Sequence, residues 1–380
     1  MKKSLALLAL TCSLVTLLTG CGLGKDNATP PTPLQSFQPS LNLHTRWGEN
    51  VGKGSSAYYL KLSLAADNNL VFAPSYQGQV TAVNANTGRI QWTSNLKQSI
   101  TSGLAAGDNQ IYVSTAGPQI SALSQTNGQV IWTQPINNET LGAPVYGNHV
   151  VVVQTLSGTV AAFDSHDGHH LWRVDESVPS LILHLNGQAQ IAGNTVVVGF
   201  ANGELIAFDL HKGQVRWDQH VALPSGDNPI SQMVDVSANP YIVGNTVYAV
   251  SYQGKVAAFD LLTGQLKWGQ AISSYAGLTA TQNQVFVSEA DGTVQAFNAK
   301  TGASQWRQYH LIGRQITAPA AFGNAIVISD RYGYLHALSQ QTGQFVGRIR
   351  TGDGALAQPI VYNGTIYVYT EQGNLMAIKQ

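Results

Sequence analysis

Residues 254–268 read GKVAAFDLLTGQLKW, and this stretch holds a strand, a tight turn and a second strand. Apolar residues follow the first Gly, Thr263 and Gly264 mark the turn, and Trp268 closes the unit. Near-copies recur along the chain as GQVTAVNANTGRIQW (78–92), PQISALSQTNGQVIW (118–132), GTVAAFDSHDGHHLW (158–172), GELIAFDLHKGQVRW (203–217), GTVQAFNAKTGASQW (292–306), GYLHALSQQTGQFVG (333–347) and a truncated GNLMAIKQ (373–380). Eight copies, spaced 38 to 51 residues apart, indicate a propeller or solenoid rather than unrelated domains.

Two columns of this internal alignment do not vary. The fifth position is Ala in all eight copies, between large apolar residues at positions three and six. A small side chain beside large ones allows stacked sheets to approach closely. The eleventh position is Gly in the seven full copies, where a hairpin turn requires a positive φ. These glycines are Gly88, Gly128, Gly168, Gly213, Gly264, Gly302 and Gly343.

The tryptophans predict how the repeat array closes. Six of the seven end a copy, at Trp92, Trp132, Trp172, Trp217, Trp268 and Trp306. The seventh, Trp47, stands early in the folded region, and the eighth copy breaks off before its own Trp strand. An N-terminal strand around Trp47 can complete that copy and remove both exposed sheet edges. The sequence therefore predicts an all-β, eight-bladed β-propeller of four-stranded antiparallel blades; seven blades would require the variant copy with Pro118 to lie outside the ring.

The N-terminus has the composition of a targeting segment. Two lysines precede an apolar stretch that ends in LTGC, which resembles a bacterial lipobox. We therefore expect a lipoprotein signal peptide at 1–20, lipidation of Cys21, a flexible or extended Pro-rich tether over 21–41, and the propeller over 42–380. The alternative is a simple secretory signal with a chance Cys. Gly22 after the Cys, by resemblance to bacterial lipoproteins, favours the outer membrane.

Composition and motifs exclude several kinds of function. Charged residues make up 11% of the chain and the formal net charge is zero, so a nucleic-acid partner is not expected. The other Cys, Cys12, falls within the predicted signal peptide, which leaves no disulfide or Cys nucleophile in the exported chain. HDGHH (166–170) occupies the turn of its copy and is interpreted as turn variation rather than a metal site. We expect no catalytic residues, no cofactor and no metal.

The repeat resembles the propeller repeat of the pyrroloquinoline quinone dehydrogenases, yet those enzymes are longer and carry an acidic calcium site and a vicinal disulfide. The combination of lipobox, Pro-rich tether and a single eight-bladed domain resembles the BamB family more fully. BamB proteins are the propeller lipoproteins of the bacterial outer-membrane β-barrel assembly machinery. This resemblance implies a non-enzymatic scaffold, lipid-anchored in the outer membrane and facing the periplasm, that docks to the barrel-forming, BamA-type subunit. Nascent outer-membrane proteins are a second class of partner that it allows.

The same resemblance implies contact residues in the two longest linkers. VPSLILHLNG (178–187) is similar to a Pro-Ser-Leu-x-Leu-Arg-Gly segment that faces the barrel subunit; Leu181 and Leu183 match it, and His184 replaces the Arg. QMVDVSANP (232–240) is similar to an Asp-Val-Asp segment that Asp235 matches. From its pattern alone, SLILHL is equally an edge strand or an exposed docking segment. Two other functions stay open: a quinone-dependent oxidoreductase-like propeller, or a periplasmic interaction propeller with another partner.

Overall fold

The computed structural model describes residues 29–56, 58–185 and 187–380, and in these it is entirely β. Eight four-stranded antiparallel sheets surround a central channel. This confirms the predicted eight-bladed propeller, and the copy with Pro118 supplies a full blade. The predicted signal peptide and Cys21 lie outside the described residues. Within the described part of the chain, the structure has no helix that is long and apolar enough to cross a membrane.

The blades follow each other along the chain, and the first strand of each lies innermost. Blades one to four comprise β2 (Ala65–Asp67), β3 (Leu70–Pro74), β4 (Gln79–Asn84), β5 (Ile90–Asn95); β6 (Ile100–Gly107), β7 (Gln110–Thr115), β8 (Gln119–Ser124), β9 (Val130–Pro135); β10 (Val145–Gly147), β11 (Val150–Gln154), β12 (Thr159–Asp164), β13 (His170–Asp175); and β14 (Gln190–Ala192), β15 (Thr195–Gly199), β16 (Glu204–Asp209), β17 (Val215–His220). Blades five to eight comprise β18 (Tyr241–Val243), β19 (Thr246–Val250), β20 (Gly254–Asp260), β21 (Leu266–Ile272); β22 (Gly277–Ala280), β23 (Gln284–Ser288), β24 (Val294–Asn298), β25 (Ser304–Gln308); β26 (Ala320–Phe322), β27 (Ala325–Ser329), β28 (Tyr334–Ser339), β29 (Phe345–Arg350); and β30 (Ile360–Tyr362), β31 (Thr365–Tyr369), β32 (Asn374–Lys379), β1 (His44–Asn50).

The N-terminal strand closes the ring, as the position of Trp47 predicts. Strand β1 pairs antiparallel with β32, and Trp47 lies opposite Ala377, the register in which each other Trp faces the Ala of its own copy. Blade eight therefore joins the two ends of the folded chain. Unfolding either end exposes a sheet edge, so the closure stabilises the whole ring.

Each Trp packs onto the turn of the next blade and explains the Gly of the repeat. The indole N–H of Trp172 donates to Leu210 O at 2.8 Å, and Trp47 bridges blades eight and one in the same way through Ala85 O at 3.0 Å. A Cβ at Gly213 would lie 2.6 Å from the ring of Trp172, and φ there is +67°. All seven turn glycines face the preceding Trp in this way. The glycine is thus required both for its positive φ and for the space that the indole takes.

Blade seven has no such Trp because blade eight has no hairpin turn onto which an indole could pack. Blade eight takes its last strand from the N-terminus, so its third and fourth strands are not joined by a hairpin. Gly347 occupies the Trp position opposite Ala337, and a Cβ there would lie 2.8 Å from Leu41 O. The N-terminal segment therefore fills the space that an indole fills elsewhere.

Residues 29–41, the second half of the predicted tether, lie against blades six and seven; we call this segment the strap. The backbone N–H of Thr32 donates to Ile312 O at 2.9 Å, and Phe37 stacks on Phe345 with ring centroids 5.6 Å apart. Arg314 Nη1 donates to Thr32 O at 3.0 Å, and Arg348 Nη1 donates to Gln35 O at 2.8 Å. This part of the tether is extended, and contacts more than 250 residues away in sequence fix it to the propeller.

A buried polar network holds the two strap-binding arginines. Asp330 Oδ2 accepts hydrogen bonds from Arg314 Nε at 2.6 Å and from His336 Nε2 at 2.9 Å. Arg348 Nε donates to His336 Nδ1 at 3.1 Å. The imidazole therefore donates through one nitrogen and accepts through the other, which only its neutral form can do. Burial lowers the pKa of His336 despite the opposing effect of Asp330, in agreement with this geometry.

Candidate interaction surface

One end of the propeller carries all the long loops, and we call it the loop face. It is formed by the connections between blades and by the turns between the second and third strand of each blade, which antiparallel order places at the same end. Backbone bonds join the two sets; Tyr252 N–H, for example, donates to Asp235 O at 2.9 Å. The longest connection, 221–240, leads into blade five, and the connections into blades one and four, 51–64 and 176–189, are equal and next in length. Length beyond what a connection needs is typical of binding loops.

The structure brings the two predicted partner-binding segments into contact. Asp235 is 1% exposed, and its Oδ1 accepts the backbone N–H of Leu183 at 3.0 Å. Val234 and Val236, on either side of it, are buried, and Val236 N–H donates to Phe200 O at 3.0 Å. Asp235 therefore belongs to a segment that packs against blade four, and its carboxylate holds the loop that carries Leu183 in place. Burial raises the pKa of Asp235, with the Leu183 bond acting in the opposite direction.

The four predicted partner-binding residues differ in exposure. Leu181 is 41% exposed and His184 is exposed, with a left-handed φ of 51° that turns the chain sharply. Leu183 is half-buried because its backbone is held against Asp235. Leu181 and His184 can touch a partner directly, whereas Asp235 acts on the surface through the loop that it holds. Lipidation of Cys21 concerns a residue outside the described part of the chain.

Sequence reasoning missed two strongly exposed apolar residues beside this loop. Leu223 and Ile230 are 65% and 64% exposed, and they lie in the connection 221–240, which also contains Asp235. With Leu181, they are the strongly exposed apolar residues of the loops 176–189 and 221–240, and we refer to these three residues as the apolar patch. The sequence did indicate an unusually long loop here, because the copies on either side of it have the widest spacing. Large apolar side chains exposed in long loops are typical of protein-binding sites.

Exposed tyrosines and one arginine lie in other loops of the same face, and we call this group the aromatic rim. Tyr58 and Tyr76 lie with ring centroids 4.3 Å apart, and the guanidinium of Arg331 lies 5.6 Å from the centre of the Tyr59 ring. Tyr58, Tyr59, Tyr309 and Tyr332 are exposed. Tyr and Arg are the residues that most often dominate binding energy at protein interfaces, because they offer large, rigid contact areas with polar ends. The loop face thus combines an apolar patch with an aromatic rim.

The His-rich turn lies at the opposite end of blade three. Asp164, Asp167 and His169 place one potential ligand atom each within 4.8 Å of one another. Asp164 Oδ1 accepts the backbone N–H of His166 at 2.8 Å, and Asp167 Oδ1 accepts that of His169 at 2.9 Å. The equivalent Asp260 accepts turn amides in the same way in blade five. The carboxylates therefore have a structural function shared with turns that contain no His.

The ring of eight blades is closed, and its loop face carries exposed apolar residues on loops that are held together by a hydrogen bond. These features define a class of protein: a β-propeller that offers a preformed surface for binding another macromolecule. A family model described as outer membrane protein assembly factor BamB matches residues 76–308 and 290–380. The chain therefore belongs to the BamB family.

Individual relatives agree with this assignment. Outer membrane protein assembly factor BamB of Pseudomonas aeruginosa is 39% identical over 376 residues, covering 99% of this chain and 98% of the relative. The crystal structure of BamB from Moraxella catarrhalis superposes with a TM-score of 0.82 at 28% identity, over 89% of this chain and 100% of that one. Quinohemoprotein alcohol dehydrogenase from Comamonas testosteroni superposes with a TM-score of 0.71 at 13% identity, over 88% of this chain and 76% of that one. This last likeness shows the fold alone.

Proposed function

We propose that the protein is a non-enzymatic scaffold subunit of the outer-membrane β-barrel assembly complex. It docks through the loop face to the barrel-forming, BamA-type subunit and assists the assembly and insertion of β-barrel proteins. The name of its relatives, outer membrane protein assembly factor BamB, supports a role in the assembly of outer-membrane proteins. One structural observation supports the docking site: the Leu183–Asp235 hydrogen bond holds two long loops together and presents Leu181 beside them.

The mechanism is binding by a preorganised surface. Because Asp235 and its buried neighbours fix the loop before the partner arrives, little loop entropy is lost on docking. Leu181, Leu223 and Ile230 supply apolar area, and the flanking segment at His184 is free to pair with polar groups of the partner. No bond is made or broken in the partner. Nascent outer-membrane proteins are a second class of ligand for the aromatic rim.

The docking surface is tested by co-purification from native membranes in mild detergent. We expect the barrel-forming subunit to co-purify with the wild type and to be reduced at least about tenfold by Leu181→Asp, because a charge would be buried in an apolar contact. Leu262→Asp is the matched control, since Leu262 is 62% exposed in a turn at the opposite end. Equal recovery with both variants would remove the apolar patch from the proposal. Absence of the subunit with the wild type would instead favour another periplasmic partner.

Attachment to the outer membrane through Cys21 is part of the same proposal. The LTGC sequence before Gly22 supports it, because acyl chains on a single Cys anchor a protein stably. We expect Cys21→Ser to move the protein from the outer-membrane fraction to the soluble periplasmic fraction. Mass spectrometry of the wild-type N-terminal peptide checks the modification itself. An unmodified Cys21 in a membrane-bound wild type would contradict lipid anchoring.

A further inference from the structure

The strap determines at which end of the propeller the N-terminal chain leaves the domain. Strand β1 begins at His44, at the end of blade eight that is opposite the loop face, and it runs to Asn50 at the loop face. A tether joined directly to His44 would therefore leave the propeller on the side away from the docking loops. The strap lies between this strand and the rest of the tether, so its direction decides where the chain leaves.

Contacts at the two ends of the strap fix its direction. At its C-terminal end, Leu41 N–H donates to Val346 O at 2.8 Å, near the start of β29 and far from the loop face. At its N-terminal end, the backbone N–H and the hydroxyl of Thr32 donate to Ile312 O at 2.9 Å and 2.7 Å. Ile312 belongs to the connection 309–319 between blades six and seven, which is part of the loop face. The strap therefore runs antiparallel to β29, from the loop face to the opposite end.

Arg348 holds the middle of the strap. Its Nη1 donates to Gln35 O at 2.8 Å, and its Cζ lies 5.0 Å from the ring centre of Phe37 and 4.9 Å from that of Phe345. A guanidinium between two aromatic rings adds cation–π attraction to the hydrogen bond. The strap is therefore attached to the propeller at both ends and between them.

This attachment moves the exit of the chain to the loop face and shortens the free part of the tether. Thr29 O lies so close to Gly313, in the same connection, that a Cβ there would be 2.7 Å from it. From Cys21 to Thr29, eight steps of at most about 3.5 Å span no more than about 28 Å. From Cys21 to His44 the limit without the strap would be about 80 Å, with an exit about 20 Å away at the other end of β1.

We propose that the strap orients the propeller, turning the loop face and its docking loops toward the membrane in which Cys21 is anchored. This inference rests on the lipid attachment proposed above. A partner embedded in the same membrane then meets the loop face at a high effective concentration, because the short free chain limits the distance between them. Release of the strap would lengthen the free chain and move its exit to the opposite end.

Orientation is measured on vesicles that carry the protein through Cys21. The chain from residue 21 onward has no other Cys, so a maleimide-bearing lipid in phosphatidylcholine vesicles attaches to that position alone. A fluorescent amino acid replaces Tyr309 on the loop face or Lys300 in the opposite turn of the same blade, both of which are exposed. Energy transfer to an acceptor-labelled lipid should be at least about twofold more efficient from position 309 than from position 300, given the lengths of the free chain and of a blade.

The strap is released by replacing residues 29–38 with a Gly/Ser sequence of equal length, which leaves every blade residue unchanged. Hydrogen exchange checks that the blades stay folded and that the segment is no longer protected. We expect the preference for position 309 to disappear or to reverse. The matched control combines Ser36→Ala with Gln38→Ala, two exposed side chains of the strap, and should keep the preference of the wild type.

Equal transfer from the two positions in the wild type would overturn the proposal. An unchanged preference after replacement of residues 29–38 would overturn it as well, since the free chain alone would then set the orientation. The vesicle attachment is chemical and no partner is present. These results are therefore independent of lipidation in the cell and of docking to the barrel-forming subunit, which the experiments on the proposed function test separately.

Discussion

The backbone N–H of Leu183 donates to Oδ1 of Asp235 across 3.0 Å, and this bond joins loops that enter two different blades. Asp235 is buried, and its other carboxylate oxygen, Oδ2, has no hydrogen-bond partner in the described structure. The hydrogen bond from the charged carboxylate to this one amide stabilises the loop, but burying the carboxylate costs desolvation free energy. The bond is therefore better explained by loop positioning than by global stability.

Removing the acceptor should loosen the predicted docking loop without unfolding the propeller. In Asp235→Ala, the Leu183 amide loses its partner, and a hydrogen bond to a charged group is worth about 1.5–3 kcal/mol. We expect the Leu183 amide to exchange with solvent at least tenfold faster, and co-purification of the barrel-forming subunit to fall. Asp235→Asn keeps a carbonyl acceptor and should preserve both. If Asp235→Ala leaves amide exchange at Leu183 unchanged, the Leu183–Asp235 hydrogen bond has no role in ordering the loop.

The carboxyl group of Asp235 should also make stability depend on pH. Because burial raises its folded pKa above the ordinary 3.8, the native state holds its proton more tightly than the unfolded state. Its contribution is favourable below pH 3.8 and is lost as pH rises through the folded pKa. The free energy of unfolding of Asp235→Asn should therefore exceed that of the wild type at pH 7, and the difference should shrink on acidification. Urea unfolding across this range measures it; a constant difference would contradict burial of the charge.

The blades were predictable from sequence because their determinants repeat. The Ala column recurs in eight copies, the Gly column in seven and the Trp column in six, and Trp47 outside the array identifies the strand that closes it. The copy-to-copy contact between each Trp and the following Gly was not predicted, because alignment shows columns but not which blade touches which. The sequence does not explain why Gly347 stands at the Trp position, because the N-terminal segment that fills this space comes from the other end of the chain.

The candidate site was predictable in place but not in the roles of its residues. Unequal spacing located the two long loops, and Leu181 is exposed as a docking residue must be. The burial of Asp235 depends on how one loop crosses another, which no local pattern encodes. The strap was missed for the same reason. Its polar, Pro-rich composition is typical of a free tether, whereas its anchors, Arg314 and Arg348, lie far away in sequence.

The network beneath the strap should make strap binding depend on pH. His336 is surrounded by Asp330, Arg348, Arg314 and the ring of Tyr334, and its lowered pKa means that the native state binds a proton less readily than the unfolded state. Its contribution is therefore complete above the usual value of 6.5 and is lost as pH falls below it, by at most about 1.4 kcal/mol per pH unit. Protonation would place an N–H of the ring against the N–H of Arg348.

We expect acidification below pH 6.5 to speed amide exchange in residues 32–41 before it affects the blades. In His336→Gln, the side-chain amide can donate to Asp330 and accept from Arg348, but it does not titrate in this range. That variant should keep the strap bound at pH 7 and lose most of the pH dependence. Hydrogen exchange with mass spectrometry, compared at pH 5 and pH 7.5 after correction for intrinsic rates, reads the strap peptide directly. The same response to acid in both proteins would exclude His336 as its origin.

The Trp–Gly contact between blades can be separated from backbone preference by two glycines of blade four. Gly193 and Gly213 have φ of +55° and +67°, but a Cβ meets nothing within 4 Å at Gly193, whereas it would lie 2.6 Å from Trp172 at Gly213. Gly193→Ala should cost about 1 kcal/mol for the left-handed conformation alone. Gly213→Ala should cost about 3 kcal/mol or more, because overpacking against Trp172 adds to the backbone strain and weakens the bond of the indole to Leu210 O. Urea unfolding of both variants measures the difference, and a red-shifted Trp fluorescence confined to Gly213→Ala would report the displaced indole. Equal losses would show that the glycine column is selected for φ alone and that the indole adapts without cost.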